Sequence, residues 1–357
     1  MKTYIKFLTQ IFIKSFFYII VIMFCLIFIL NLLTELDFFK EIEISINFTL
    51  LLTLLNSPSM IFEMFPFIFL ISTQFFFIKL FNNNELEVFK YSGLKNSEIL
   101  KFLGFISIFI SALIIIIFYN FSANVKNFYL EKKSQFTTDG KYLAVITKNG
   151  LWIKDKIDGK IYIINSAEVK NNFLINNFIT EFDSKFRVIR NLKSKKINIK
   201  DKRWLIYDAK IYNKNNYETK DVLEIETNFD YMGIQTLYSN LSSLDILQLF
   251  ELRNNYKRLN YSLTEVNLQI LKIFTYPLYF LLITIFTALI MFRIKRLGGI
   301  TYKISLGLFL SVVIYYINNF FLVMGSTERI NLFFAVFTPL MLLGLVNSFM
   351  IYKINEK

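Results

Sequence analysis

Glu85, Leu86, Val88, Phe89, Ser92 and Gly93 stand together in a polar island, "NNNELEVFKYSGLKNSEIL" (residues 82 to 100), set between two long apolar runs. Asn82 to Asn84 offer an N-cap, Glu85 and Glu87 fall where a helix dipole favours acids, and Gly93 is placed to end the helix in the left-handed region. A helix of about two or three turns does not hold alone in water. Its face through Glu85, Val88, Phe89 and Ser92 mixes one acid with apolar and small groups. Such a segment is either a tight loop on the membrane surface or a coupling helix, seated in a groove of a cytoplasmic partner with Glu85 as its ionic anchor.

Other chemistry is limited by inventory. The 357 residues include no histidine and one cysteine, Cys25, which lies within an apolar run. Histidine acid–base chemistry, Cys/His metal sites and an internal disulfide are thereby excluded, and no cofactor or metal is expected. The chain also lacks the G-x-x-x-x-G-K-[ST] phosphate loop, so ATP hydrolysis would have to come from a partner.

The elements that position the island are membrane spans. Hydrophobic residues make up 55% of the chain and aromatics 18%, with only 4 prolines and 11 glycines, a balance that belongs to an integral membrane protein. Six runs are long enough for the roughly 20 apolar residues that cross hydrocarbon: 11–33, 59–81, 100–122, 267–292, 301–324 and 331–352. The first is too long for a cleaved signal peptide, and no small-residue cleavage site follows it, so it is expected to remain as an anchor. Lys2, Lys6 and Lys14, then Arg293, Lys295, Arg296 and Lys303, then Lys353 and Lys357 flank span ends on one side. The first connection instead carries Glu35, Asp37, Glu41 and Glu43 against Lys40. By the positive-inside rule both termini and the island face the cytoplasm, and residues 123–264 lie outside the inner membrane.

That outer block holds 24 Lys/Arg against 16 Asp/Glu, much of the formal net charge of +13. No module gathers basic and aromatic residues for nucleic acid, and a domain facing anionic lipid is the better use of the charge. "KYLAVIT", "LWIKD", "KIYIINSAEV", "FRVIRNL", "RWLIYDAKIY" and "DVLEIET" alternate as strands, with turn signals at Asn149-Gly150 and Asp158-Gly159. They predict an antiparallel sandwich or jelly roll. Leu244, Leu247 and Leu252 then mark a return to helix. The expected organisation is a membrane α-helical fold of six transmembrane helices with an inserted periplasmic antiparallel β jelly-roll-like domain. Residues 1–122 hold spans one to three and a coupling helix at 84–93, residues 123–264 the β-domain, and residues 265–357 spans four to six.

"TLLNSPSMIFEMFPFIFLISTQFFFIKLFNNNELEVFKYSGLKNSEIL" resembles the LptF/LptG family of lipopolysaccharide-export permeases, with Pro58 and Pro66 in span two ahead of an E-L-x-V-x-x-x-S-G segment. "NGLWIKDKIDGKIYIINSAEV", "TEVNLQILKIFTYPLYFLLI" and "MGSTERINLFFAVFTPLMLLG" favour the LptG branch. The resemblance implies a transporter half and not an enzyme. Its implied partners are an LptF-like permease subunit, an LptB-like ATPase dimer, LptC-like and LptA-like periplasmic proteins, and lipopolysaccharide as cargo. It places Glu85 at the acidic position that meets a basic residue of the ATPase, with Leu86, Val88, Ser92 and Gly93 completing the match. It further implies head-group contacts at the outer end of span one, where Asp37 and Lys40 stand. The family's lysine is replaced there by Thr34, followed by Glu35, and an ordinary interfacial cluster of charges is the competing reading. A mechanotransducer or efflux subunit usually carries its outer domain between spans one and two. A membrane-anchored scaffold without a transport role is the other alternative.

Overall fold

The computed structural model describes residues 3–40, 44–136, 151–157, 159–170, 172–213, 216–231, 234, 240–259, 261–294 and 299–355. The expected strand "KYLAVIT" and the Asn149-Gly150 turn lie outside the described residues. The chain divides into two compact units, Met1–Tyr129 with Thr264–Lys357, and Leu130–Leu263.

In the first unit, α1 (Thr3–Phe38) and α2 (Ile46–Asn82) precede a short α3 (Glu85–Tyr91). Next come α4 (Asn96–Leu113), a π-helical segment (Ile114–Tyr119) and α5 (Asn120–Ser134), one continuous rod that carries helix past the expected boundary at 122. After the β-domain and α6 (Ile246–Leu259), α7 (Thr264–Arg293), α8 (Ile300–Ser326) and α9 (Leu332–Asn355) follow. Six of these stretches are long and apolar enough to span a membrane, at the six places expected. All are helical because hydrocarbon offers backbone N–H and C=O groups no other partners.

The middle of the unit is α2 and α7. α1 lies along α2, while α4, α8 and α9 pack on α7. Apolar surface alone gives helices in lipid little reason to choose one register, so rings and polar side chains set it. Phe69 stacks on Phe280 at 4.6 Å, and Phe12 meets Phe76 edge-on at 5.8 Å. Asn31 Nδ2 donates to the Thr53 carbonyl and Asn56 Nδ2 to Asn31 Oδ1, both at 3.0 Å. Asn347 Nδ2 reaches the Leu282 carbonyl and Gln74 Nε2 the Lys303 carbonyl, both at 2.9 Å. Gly307 makes the last contact possible, because a Cβ there would lie about 2.0 Å from the Gln74 amide.

The π segment falls on the run "IIIIFY", where four consecutive β-branched side chains crowd about one turn of helix. Widening the turn relieves them. Tyr119, at its end, packs 4.9 Å from Phe62.

The second unit holds a six-stranded antiparallel sheet: β1 (Leu151–Ile157), β2 (Lys160–Lys170), β3 (Phe173–Phe182), β4 (Val188–Asn198), β5 (Arg203–Tyr212) and β6 (Tyr217–Glu226). The inserted antiparallel domain is as expected, and its described strands pair in sequence order as a meander. The stretch after β6 returns to the first strand, where Asp155 of β1 accepts hydrogen bonds from Asn228 N (2.9 Å) and Nδ2 (2.7 Å). The Trp204 indole donates to the Phe229 carbonyl at 2.7 Å, so the sheet folds over on itself around that ring.

One line of interrupted pairing crosses the sheet at Ala167, Asn176, Lys195, Asp208 and Asp221 without altering the register. Asn176 and Asp208 take positive φ there, 53° and 50°. The inward face changes parity at the line: Leu174 and then Asn177 in β3, Ser194 and then Ile197 in β4, Ile206 and then Ala209 in β5 are buried. Side chains replace the lost ladder bonds. Ser194 Oγ accepts from Lys196 N and lies 2.6 Å from the Tyr207 carbonyl, while Asn177 Nδ2 donates to the Leu174 carbonyl. The line acts as a crease.

In α6 the predicted return to helix holds, but Leu247 is 80% exposed and Leu249 takes the buried place beside Leu244 and Leu252.

Glu181 is 1% exposed and lies opposite Tyr162 and Arg190 in the ladder. Lys160 Nζ bridges one carboxylate oxygen at 2.8 Å and Arg190 Nε donates to the other. Burial pushes the Glu181 carboxyl up; the hydrogen bonds and charges of Lys160 and Arg190 outweigh it, leaving the group below its ordinary value. A carboxyl lowered in the folded state contributes stability above its unfolded pKa and loses it as pH falls through the folded value. Thermal unfolding of the β-domain signal in the detergent-solubilised chain is therefore expected to lose stability from about pH 4.5 downward. Glu181→Gln should be less stable at pH 7 and show a flatter acid limb, and parallel limbs for the two proteins would refute the assignment.

Candidate functional site

The island folds into α3 as expected, although its start differs from the sequence reading. Asn84 occupies the N-cap position in the left-handed region (φ 54°) and makes no side-chain cap. Asn83 makes a side-chain contact instead, its Nδ2 donating to Glu85 Oε1 at 3.0 Å. Asparagine tolerates this conformation better than most residues, and here that tolerance is used to turn the chain out of α2.

The end of α3 follows the prediction closely. Gly93 has φ +86°, with Gly93 N donating to the Lys90 carbonyl at 3.0 Å and Leu94 N to the Phe89 carbonyl at 2.9 Å. This pair of bonds is a Schellman motif, and Phe89 and Leu94 supply its apolar closure against the same core cluster. A Cβ on Gly93 would touch nothing within 4 Å, so the requirement is for backbone conformation, not space.

The six singled-out residues divide by role. Leu86 is fully buried in a cluster with Leu8, Phe12, Phe77 and Ile99, which pins the short helix to the spans. Glu85, Val88, Phe89, Ser92 and Gly93 line an open cavity of about 670 Å³ together with Tyr4, Phe7, Leu94 and Glu98. Phe7 of α1 meets Phe89 at 5.8 Å. Val88 is 60% exposed and Tyr91 90%. Of the Glu85 carboxylate, Oε1 is held by Asn83, whereas Oε2 is enclosed by protein without a hydrogen-bond partner. A carboxylate oxygen left so is an acceptor waiting for a donor.

At the other end of α1 the structure keeps Asp37 and Lys40 exposed and, among the described residues, brings no third residue to them beyond their own turn, where Lys40 N donates to the Asp37 carbonyl. The organised polar groups there are ones that sequence reading passed over. Glu35, 1% exposed, accepts from the Tyr129 hydroxyl at 2.6 Å, one helical turn beyond the Asn31, Thr53 and Asn56 bonds. Their signal was the i, i+4 spacing of Asn31 and Glu35 in an apolar run. Lys272 within α7 was also missed. It sits 5.8 Å from the centre of the Tyr276 ring, bonds its hydroxyl, and interacts electrostatically with Glu63 of α2. Lys126 of α5 faces the same carboxylate. Asn318 shares a small cavity with Lys272, Tyr276 and Tyr279. Among the described residues no group of acids and thiols could hold a metal ion.

Six apolar spans in two groups of three, a β-domain inserted after the third, and a short helix presented between the second and third define a multi-pass membrane protein. The chain belongs to the family described as lipopolysaccharide export system permease LptF/LptG, whose model matches residues 6–353. The expected family and architecture are thus borne out, while the match does not separate LptG from LptF. The comparison with individual curated proteins gives no match.

Gly93→Ala is expected to cost about 1–2 kcal/mol locally, the penalty of placing an L side chain in the left-handed region. Hydrogen exchange over residues 85–94 should accelerate by about tenfold while the spans stay protected. Unchanged exchange would show that the motif does not hold the helix.

Proposed function

We propose that this chain is the LptG-type half of a lipopolysaccharide exporter, pairing with an LptF-like subunit and resting on an LptB-like ATPase dimer. The supporting observation is Glu85 Oε2, an enclosed and unbonded carboxylate oxygen of a residue that lines an open, mostly apolar cavity shared with Glu98. A basic side chain of the ATPase enters this cavity and bonds Glu85. Val88 and Tyr91 supply apolar contact around it, and Leu86 passes the motion to the spans. Closure of the ATPase dimer drives α3, the spans close on the lipid, and the cargo moves outward to the β-domain and on to LptC-like and LptA-like proteins.

Under this reading both termini and α3 are cytoplasmic and the β-domain is periplasmic, in keeping with the lysines and arginines at the N-terminus and between α7 and α8. At the outer end of α1, Asp37 and Lys40 are free to meet a phosphorylated head group, because both are exposed.

Glu85→Arg should reduce association of the ATPase with the permease by about thirtyfold or more, since removing one member of a hydrogen-bonded charge pair costs about 2–5 kcal/mol. Co-purification of the ATPase from membranes measures the association, and lipopolysaccharide release from proteoliposomes measures the function. Retention of both by the variant would make the coupling role wrong.

A further inference from the structure

A second cavity, of about 830 Å³, opens between α1 and α4 on the surface of the first unit. Its lining is polar only at one end, at Tyr4, Thr9, Glu98 and Lys101, and apolar beyond, at Ile13, Phe17, Phe105, Phe109 and Leu113. From Lys101 to Leu113 a helix rises about 18 Å, close to the roughly 15 Å of one leaflet's hydrocarbon. The groove stops where the π-helical segment begins, at Ile114.

We infer that this groove binds one phospholipid with a zwitterionic, amine-bearing head group, in the leaflet nearest the N-terminus. Charge selects the class. Glu98 and Lys101 are both exposed and lie one turn apart on α4, and neither has an ion-pair partner within 4.0 Å among the described residues. A phosphate suits Lys101 and an ammonium suits Glu98, whereas a purely anionic head group would place negative charge against Glu98. The acyl chain lies in the apolar trough, walled by the exposed rings of Phe17, Phe105 and Phe109. An ordinary annular lipid covers a convex helix surface and makes no such choice of head group.

The site adjoins the one proposed above. Tyr4 and Glu98 line both cavities, so the lipid head group forms part of the wall against which α3 is seated. Occupancy of the groove thereby stiffens the junction of α1, α3 and α4. The inference needs only the spanning arrangement and not the ATPase contact, and failure of one leaves the other standing.

The test is native mass spectrometry of the full chain, delipidated in detergent and offered equimolar phosphatidylethanolamine and phosphatidylglycerol. One phosphatidylethanolamine should be retained in preference. Lys101→Glu should lower its retention about tenfold, the loss of one charge-assisted contact. Ile13→Trp, which fills the trough, should displace both lipids. Should either variant misfold, the competition on the unaltered chain decides by itself. Retention of neither lipid, equal retention of both, or a second polypeptide's transmembrane helix occupying the groove in the purified complex would overturn the proposal.

Discussion

Hydrocarbon supplies no hydrogen bonds, so the polar groups within the six spans turn to the chain itself for partners. For the backbone this dictates helices; for side chains it turns each polar residue into a possible cross-link. Gln74 is the clearest case. Its amide bonds the Lys303 carbonyl, and Gly307, one turn further on, leaves it room. The bond and the glycine together fix the register of α2 against α8, a register that Leu and Phe packing alone would let slip. Asn31 with Thr53 and Asn56, and Asn347 with Leu282, do the same at other levels. The bundle is pinned at a few polar points and filled between them with rings.

α3 depends on that pinned bundle. Seven residues cannot sustain a helix in water, so its rigidity comes from Leu86 in the core, from the Schellman bonds around Gly93, and from Phe7 against Phe89. These three supports lead to different neighbours. A load applied to the exposed face of α3 therefore reaches α1 through Phe7 and the shared core through Leu86 at once. A loop lying freely on the membrane would transmit nothing of the kind.

The spans were legible because an apolar run of that length has one stable outcome, and α3 because asparagines, acids and a glycine bracket it. The failures have physical causes. β3 was not expected because its asparagines at 176 and 177 look like a loop, yet they occupy the crease, where φ is positive and an amide must replace a ladder bond. The lysine-rich second half of β4 was also missed. Lys193, Lys195 and Lys196 are exposed while Leu192, Ser194 and Ile197 are buried, and the parity change at Lys195 breaks the alternation that would have revealed a strand. Asn84 offered a cap by residue type but spends its conformational freedom on the turn. For the site, the identities of the α3 residues could be read in advance, whereas the partner of Glu35, Tyr129, lies 94 positions away, and the local spacing of Asn31 and Glu35 marks a polar face without naming it.

The state of Glu85 carries a cost in the chain as folded. An enclosed acceptor without a bond forfeits about 1–3 kcal/mol relative to one exposed to water or paired. Nothing in the packing of α3 requires this, since Leu86 and the Schellman motif secure the helix without the carboxylate. Asn83 holds one oxygen, and the other is enclosed by protein without a partner. With Glu98 on the same wall, two carboxylates line one mostly apolar space. The charge, the unpaired oxygen and the rigid mount are features that the proposed contact uses and that folding does not require.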